Sequence, residues 1–388
     1  MQWCSVLSQV PSAEAAASDV ATRLQAALSG QCPDLIWVFV SPAFNGAYTS
    51  IQEILQNVFR EAVVVGCSGN GVLADGTEVE HHAPALAAMA AVLPGVQLTV
   101  RHVETSEFPA AEDAEAWRRL VGVTTVPRPS FILLPDPFTC DVGPLLSGLD
   151  AAYPDSAKIG GLASGGQRPG DHALYAGQTC ENRGAVIVAM QGALSMQTVV
   201  AQGCRPVGEP MLVTRCEENT VLELNQRRPV EILQDLAANL PKSIFSRHGF
   251  FLGIEMRDQR EYKHGDFLVR NLLSVDRTSG GLIVGASIKP YQAVQFHVFD
   301  REAAVLDLGS QLERAASEDG NAEAALLFSC LGRGQGLFNE PDHDSNQLRT
   351  YLGAPSLAGF FCNGEIGPVG GKTFLHGYTS AIALFRPT

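Results

Sequence analysis

Apolar residues along this chain gather into short unbroken runs, and three of those runs open a pattern that recurs. LIWVFV at 35–40, SFILLP at 130–135 and ALLFSC at 325–330 show no polar alternation, as strands buried on both faces should. About 25–35 residues after each comes a stretch of small residues. These read Val-Gly-Cys-Ser-Gly-Asn-Gly (65–71), Ile-Gly-Gly-Leu-Ala-Ser-Gly-Gly (159–166) and Phe-Phe-Cys-Asn-Gly-Glu-Ile-Gly (360–367). Each is followed by another apolar run: ALAAMAAVL at 85–93, GAVIVAM at 184–190 and TSAIALF at 379–385. The pattern predicts a unit of strand, helix, strand, glycine turn and strand, used three times and made by duplication. Glycines at strand ends admit a backbone or a ligand where a Cβ would clash. The functional site is therefore expected at these turns.

Between the runs the periodicity changes. Residues 12–29, 50–60 and 110–122 carry apolar positions at helical spacing, the first two starting at a serine, and a short helix is expected near 143–152. VQLTVRHVE (96–104) alternates as a half-exposed strand does. Past residue 190, QTVVAQGCRPVG, PMLVTRCEENTVLEL and FLVRNLLSVDRTSGGLIVG alternate between Gly, Asn and Asp turns, an antiparallel signature. RPVEILQDLAANLP (228–241) and VLDLGSQLERAASED (305–319) read as helices, and 241–265 is short of clear periodicity. The fold class expected is α/β to α+β: duplicated units forming two packed domains, 1–195 and 196–388, the second with more antiparallel strands.

A chain of 388 residues exceeds what one core usually supports, which fits two domains. The net charge of −14 offers no basic excess for a phosphate backbone, so nucleic acid is excluded as a partner. No apolar run approaches the roughly 18 residues that span a bilayer. The amino terminus lacks a basic segment leading into an apolar core, so it reads as no secretory signal, and the expected location is cytoplasmic. Nine cysteines form no CxxC pair or zinc-type cluster, so they read as small reduced residues and no metal is called for.

DFLVRNLLSVD (266–276), LLFSCLGRGQGLF (326–338) and LAGFFCNGEIGPVGGKTFLHGYTSAIALF (357–385), with GCSGNGVL and IGGLASGG upstream, resemble the FIST family, its N and C segments in order. The resemblance runs from about residue 25 to the end. It implies a sensory or adaptor role: FIST domains are associated with signalling proteins and were proposed to bind small ligands such as amino acids. The chain looks like a stand-alone member whose output passes through a separate, unknown signalling protein.

The last block sets Cys362, Asn363 and Glu365 in one turn, with Lys372, His376 and Tyr378 following. Glu365 lies between glycines in apolar surroundings and could accept a ligand ammonium; an ion pair with Arg333, Arg270 or Lys372 is the competing role. Arg270 interrupts FLVRNLL and Arg333 sits in a Gly-Arg-Gly-Gln-Gly loop; either could grip a carboxylate with two parallel bonds. Cys330 and Cys362 end strands of the third unit, with Cys67 expected at the comparable place of the first. The expected ligand-binding set is Arg270, Cys330, Arg333, Cys362, Asn363, Glu365 and His376, in one cleft walled by the cysteines.

The alternatives are a cysteine-dependent hydrolase or isomerase, using Cys362 or Cys330 with a histidine such as His376 or His264, and a ligand-free scaffold. GCSGNG lacks the Lys-Ser/Thr pair of a P-loop, and GGLASGG is no dinucleotide fingerprint, so no cofactor is expected. The acidic runs EDG, EPDHD and ENRG are read as solvated loops, and a metal site at Asp342, His343 and Asp344 is set aside.

Overall fold

A computed structural model describes residues 1–240, 249–256, 262 and 267–388. Of the stretch 241–265, residues 241–248, 257–261 and 263–265, His264 among them, lie outside the described residues. The chain forms two compact units: one of Met1–Ala201, Leu308–Leu375 and Thr379–Thr388, the other of Gln202–Asp307 and His376–Tyr378. The linear division at 195/196 differs from this. It falls a few residues before the second unit begins, and it misses the return of the chain to the first unit at Leu308.

The first unit begins with β1 (Gln2–Ser8), α1 (Ala13–Ala27), β2 (Leu35–Val40), α2 (Tyr48–Val58), β3 (Val63–Ser68), β4 (Val72–Ala74), β5 (Thr77–Val79) and β6 (Leu86–Val92). The same succession follows in β7 (Val96–Val103), α3 (Ala114–Val121), β8 (Ser130–Pro135), α4 (Val142–Ala152), β9 (Lys158–Gly161), β10 (Leu174–Ala176), β11 (Thr179–Glu181) and β12 (Ala185–Gly192). Strand β13 (Leu194–Gln202) then leads into the second unit. There β14 (Cys204–Glu217), β15 (Thr220–Leu224), α5 (Pro229–Ala238), β16 (Phe250–Glu255), β17 (Phe267–Val275), β18 (Leu282–Val284) and β19 (Ala293–Phe299) occur. Helix α6 (Arg301–Asp319) is followed by β20 (Ala324–Cys330), α7 (Gln335–Phe338), α8 (His343–Leu352), β21 (Ser356–Cys362), β22 (Glu365–Val369), β23 (Lys372–His376) and β24 (Thr379–Pro387).

Three six-stranded sheets share one strand order: β1-β6-β2-β3-β10-β11, β7-β12-β8-β9-β22-β23 and β13-β24-β20-β21-β4-β5. In each, the two central strands are parallel and their apolar runs are buried along their length. The terminal hairpin of every sheet comes from elsewhere in the chain. Hairpin β4–β5 joins β21, β10–β11 joins β3, and β22–β23 joins β9. This exchange was not legible in the pattern, because strands of three to five residues carry too little alternation to show their partners. Trp37, Phe39, Ile132, Leu134, Phe328 and Phe360 meet in the core that the three sheets enclose. Helices cover the outer faces, with α1 held at its start by Ser12, whose Oγ accepts from the Ala15 N–H.

Gly66, Gly160 and Gly359 stand opposite Val38, Leu133 and Leu327 on the parallel partner strands. At each, an added Cβ would collide with the partner's carbonyl oxygen. Counting from these glycines, Cys362 corresponds to Gly69 and Ala163, not to Cys67. Like them it follows its glycine by three residues, so the expected correspondence with Cys67 is corrected. The three glycine turns bond to one another: Ser164 N–H to Ser68 O at 3.1 Å, Phe361 N–H to Gly71 O at 2.9 Å and Leu162 N–H to Gly364 O at 2.9 Å. The second unit is a closed barrel of β14-β15-β18-β17-β16-β19 around Val213, Leu252, Leu282 and Phe296. The alternation predicted β14, β15, β17 and β18 of this barrel, whereas β16 lies in the stretch short of clear periodicity and β19 was not among the expected strands.

Candidate functional site

Strand β20 ends at Cys330 and turns sharply, the Arg333 N–H returning to the Cys330 carbonyl at 2.9 Å. The turn carries Arg333 inward, to 1% exposure. Its Nε and Nη2 donate to Oδ2 and Oδ1 of Asp344 at 2.8 and 2.9 Å, the two-bond geometry that arginine alone supplies. The Phe338 ring lies 5.2 Å from the guanidinium carbon. Asp344 also accepts from Ser329 Oγ and His343 Nδ1, both at 2.9 Å. Burial alone would raise the Asp344 carboxyl, but the Arg333 charge reverses that and holds it well below the usual carboxylate range. One donor is left over. Nη1 of Arg333 is buried and has no hydrogen-bond partner among the described residues.

Glu365, at the start of β22, is fully buried. Its Oε2 accepts the Thr379 N–H at 3.0 Å and its Oε1 accepts the Cys362 thiol at 3.4 Å. Burial pushes this carboxyl up to about 8, against the hydrogen bonds of Thr379, Cys362 and Cys330 and the charge of Arg333. Cys362 donates to the Ser329 carbonyl as well, at 3.4 Å. Burial pushes its thiol well up, and the Glu365 charge adds to the rise. A thiol held neutral in this way is a poor nucleophile unless a neighbouring base takes its proton as it attacks, which counts against a hydrolase that relies on a preformed Cys362 thiolate.

Hairpin β4–β5 supports the Arg333 loop. Glu78 Oε1 accepts the N–H and Oγ–H of Ser345, both at 2.8 Å, and Glu80 Oε1 accepts the Gln335 N–H at 2.8 Å. Glu78 on β5 and Glu80 just after it thus occupy the first turns of α8 and α7, where free N–H groups donate to such partners. Burial pushes Glu78 up to about 8, with the Asp344 charge adding to it.

Of the expected residues, Cys330, Arg333, Cys362 and Glu365 gather here, close enough that the charges of Arg333 and Glu365 act on each other. Asn363 lies exposed on the adjoining turn and Lys372 is exposed. Arg270 and His376 belong to the second unit. Arg270 is partly buried on β17, donates to the Val269 carbonyl at 3.2 Å, and is lowered to about 10 by burial. The ion-pair partner of Arg333 is Asp344, which the sequence reading placed in a solvated loop. The EPDHD run is in fact buried at His343 and Asp344, because α8 packs its first turn against β20 and the hairpin.

A second buried pair went unseen in the sequence. His172 Nδ1 donates to Asp136 Oδ1 at 2.6 Å, and its Nε2 accepts the Gly166 N–H at 3.0 Å, which fixes the neutral tautomer. Thr139 Oγ donates to Asp136 Oδ2 at 2.6 Å, and Phe138 stacks on the imidazole. Both histidine nitrogens are engaged, so the pair orders the glycine turn of residues 159–166. Its signal was Asp136, placed directly after an apolar strand.

Among the described residues, no helix is long and apolar enough to cross a membrane. The family models for the FIST N domain and the FIST C domain match residues 34–227 and 229–368. An uncharacterized protein of Mycobacterium tuberculosis is 33% identical over 384 residues, covering 98% of each chain. One of Mycobacterium bovis is 31% identical over 379 residues, covering 97% of this chain and 96% of the other. Among solved structures, a cyanuric acid hydrolase from A. caulinodans covers 100% of this chain and 99% of its own at 11% identity. Its TM-score of 0.37 carries no argument about function.

Proposed function

Because this chain belongs to the FIST family, whose domains are sensory and signalling domains, we propose that it is a small-ligand sensor with its site around Arg333 and Glu365. The observation that carries this reading is the spare Nη1 of Arg333. A buried guanidinium with an unmet donor is costly unless an acceptor arrives, and a ligand carboxylate is the acceptor that suits it. Glu365 supplies the complementary end, a buried carboxyl that can ionise against a ligand ammonium. An amino acid or a similar carboxylate meets both demands. Cys330 and Cys362 form the wall, and Asn363 stands at the rim.

A thermal-shift screen against amino acids, plain carboxylates and plain amines tests the reading. A ligand at 100 times its dissociation constant should stabilise the chain by about 2.7 kcal/mol. Glu365→Gln keeps the shape and removes the charge. It should weaken an amino acid by about 2–5 kcal/mol, the range for removing one partner of a buried charge pair, and leave a plain carboxylate little changed. If no amino acid or carboxylate shifts the melting midpoint, the reading fails.

A further inference from the structure

We propose that Cys330 and Cys362 are a redox pair, in which hydrogen peroxide oxidises Cys330 and Cys362 then closes a disulfide between β20 and β21. The two residues are direct register partners on adjacent parallel strands, so their side chains leave the sheet on the same face. Neighbouring strands lie about 4.7–4.9 Å apart, inside the roughly 4.4–6.8 Å between Cα atoms that a disulfide accepts. Both thiols hydrogen-bond the same Glu365 carboxyl. The pair is split in exposure: Cys330 is partly exposed, whereas Cys362 is buried.

That split assigns the roles. Cys330 Sγ accepts the Gly332 N–H at 3.5 Å and lies within reach of the Arg333 charge, two contacts that steady the sulfur once Glu365 has taken its proton. In the first step the Cys330 thiolate attacks one peroxide oxygen and the O–O bond breaks. With a proton taken up, the products are a sulfenic acid and water. In the second, Cys362 sulfur attacks Cys330 sulfur and the S–O bond breaks. The Cys362 proton passes to Glu365 Oε1, its hydrogen-bond partner, and on to the departing hydroxide. The sum is two thiols and one peroxide giving one disulfide and two waters. Cys362 needs no exposure for this, because its target is the neighbouring sulfur. The disulfide would remove two thiol donors from Glu365, so oxidation would retune the wall of the ligand site. The chemistry itself does not depend on the ligand reading.

The test treats the full chain with a small excess of hydrogen peroxide, digests it with trypsin and weighs the peptides without reductant. The expected product joins peptide 315–333 to peptide 350–372, lighter than their sum by two hydrogens, and dithiothreitol separates them. In Cys362→Ser the cross-link is lost and dimedone labels Cys330; in Cys330→Ser, Cys362 stays a free thiol. Glu365→Gln should slow closure roughly a hundred-fold, the lower range for loss of a general base. Recovery of both thiols unchanged from the wild-type chain, or modification of Cys362 before Cys330, overturns the proposal. Neither result bears on whether a carboxylate binds Arg333.

Discussion

Arg333 and Asp344 show what single residues contribute. Their paired bonds are buried on every side, so removing one charge leaves the other stranded in an apolar interior. Asp344→Asn should therefore cost about 3–5 kcal/mol in urea unfolding; a loss below about 1 kcal/mol would mean that the pair is solvated. Glu365 gives a second prediction, with its sign worked out. Its carboxyl rises from 4.5 to about 8 on folding, so between those values the folded chain holds a proton that the unfolded chain releases. Stability should fall as pH rises from about 5 to 8, and Glu365→Gln, neutral throughout, should flatten that fall. Melting curves across this range decide the point. Equal slopes for the two proteins would place the Glu365 carboxyl near its ordinary value. The sequence exposed Glu365 and Arg333 because charges among glycines stand out. It concealed Asp344, because His343 and Asp344 look like any acidic loop until the tertiary fold buries them.

At the scale of elements, the central strands were legible and their partners were not. LIWVFV, SFILLP and ALLFSC announce themselves by unbroken apolar runs, and the three glycine stretches mark where the parallel neighbours begin to turn. Nothing local reveals that β4–β5, β10–β11 and β22–β23 each serve another sheet, since pairing is a tertiary choice. Gly359 tests the close approach of strands. A methyl there meets the Leu327 carbonyl, so Gly359→Ala should destabilise by at least about 1–3 kcal/mol, as overpacking does. Gly336, in α7, has open space where a Cβ would go, and Gly336→Ala should be near neutral. If the two substitutions cost the same, backbone proximity is not the reason for Gly359.

For the whole molecule, the exchange of hairpins makes the three sheets interdependent. A fragment of residues 1–195 keeps every strand of the first sheet but leaves β9 without β22 and β4 without β21. Unpaired edges of that kind favour association. The fragment should aggregate or lack a cooperative melting transition; a monomer with a sharp transition would show the units to be self-sufficient. The ligand claim also belongs to this scale, because it joins a loop after β20 to the start of β22. It is met most directly by calorimetric titration of the wild-type chain and Glu365→Gln with a binding amino acid and its deaminated carboxylate, from pH 6 to 8.5. The account predicts that the amino acid binds the wild type more tightly as pH rises toward about 8, where Glu365 ionises. Neither Glu365→Gln nor the plain carboxylate should show that gain. Amino-acid affinity that is independent of pH and untouched by Glu365→Gln would contradict the account.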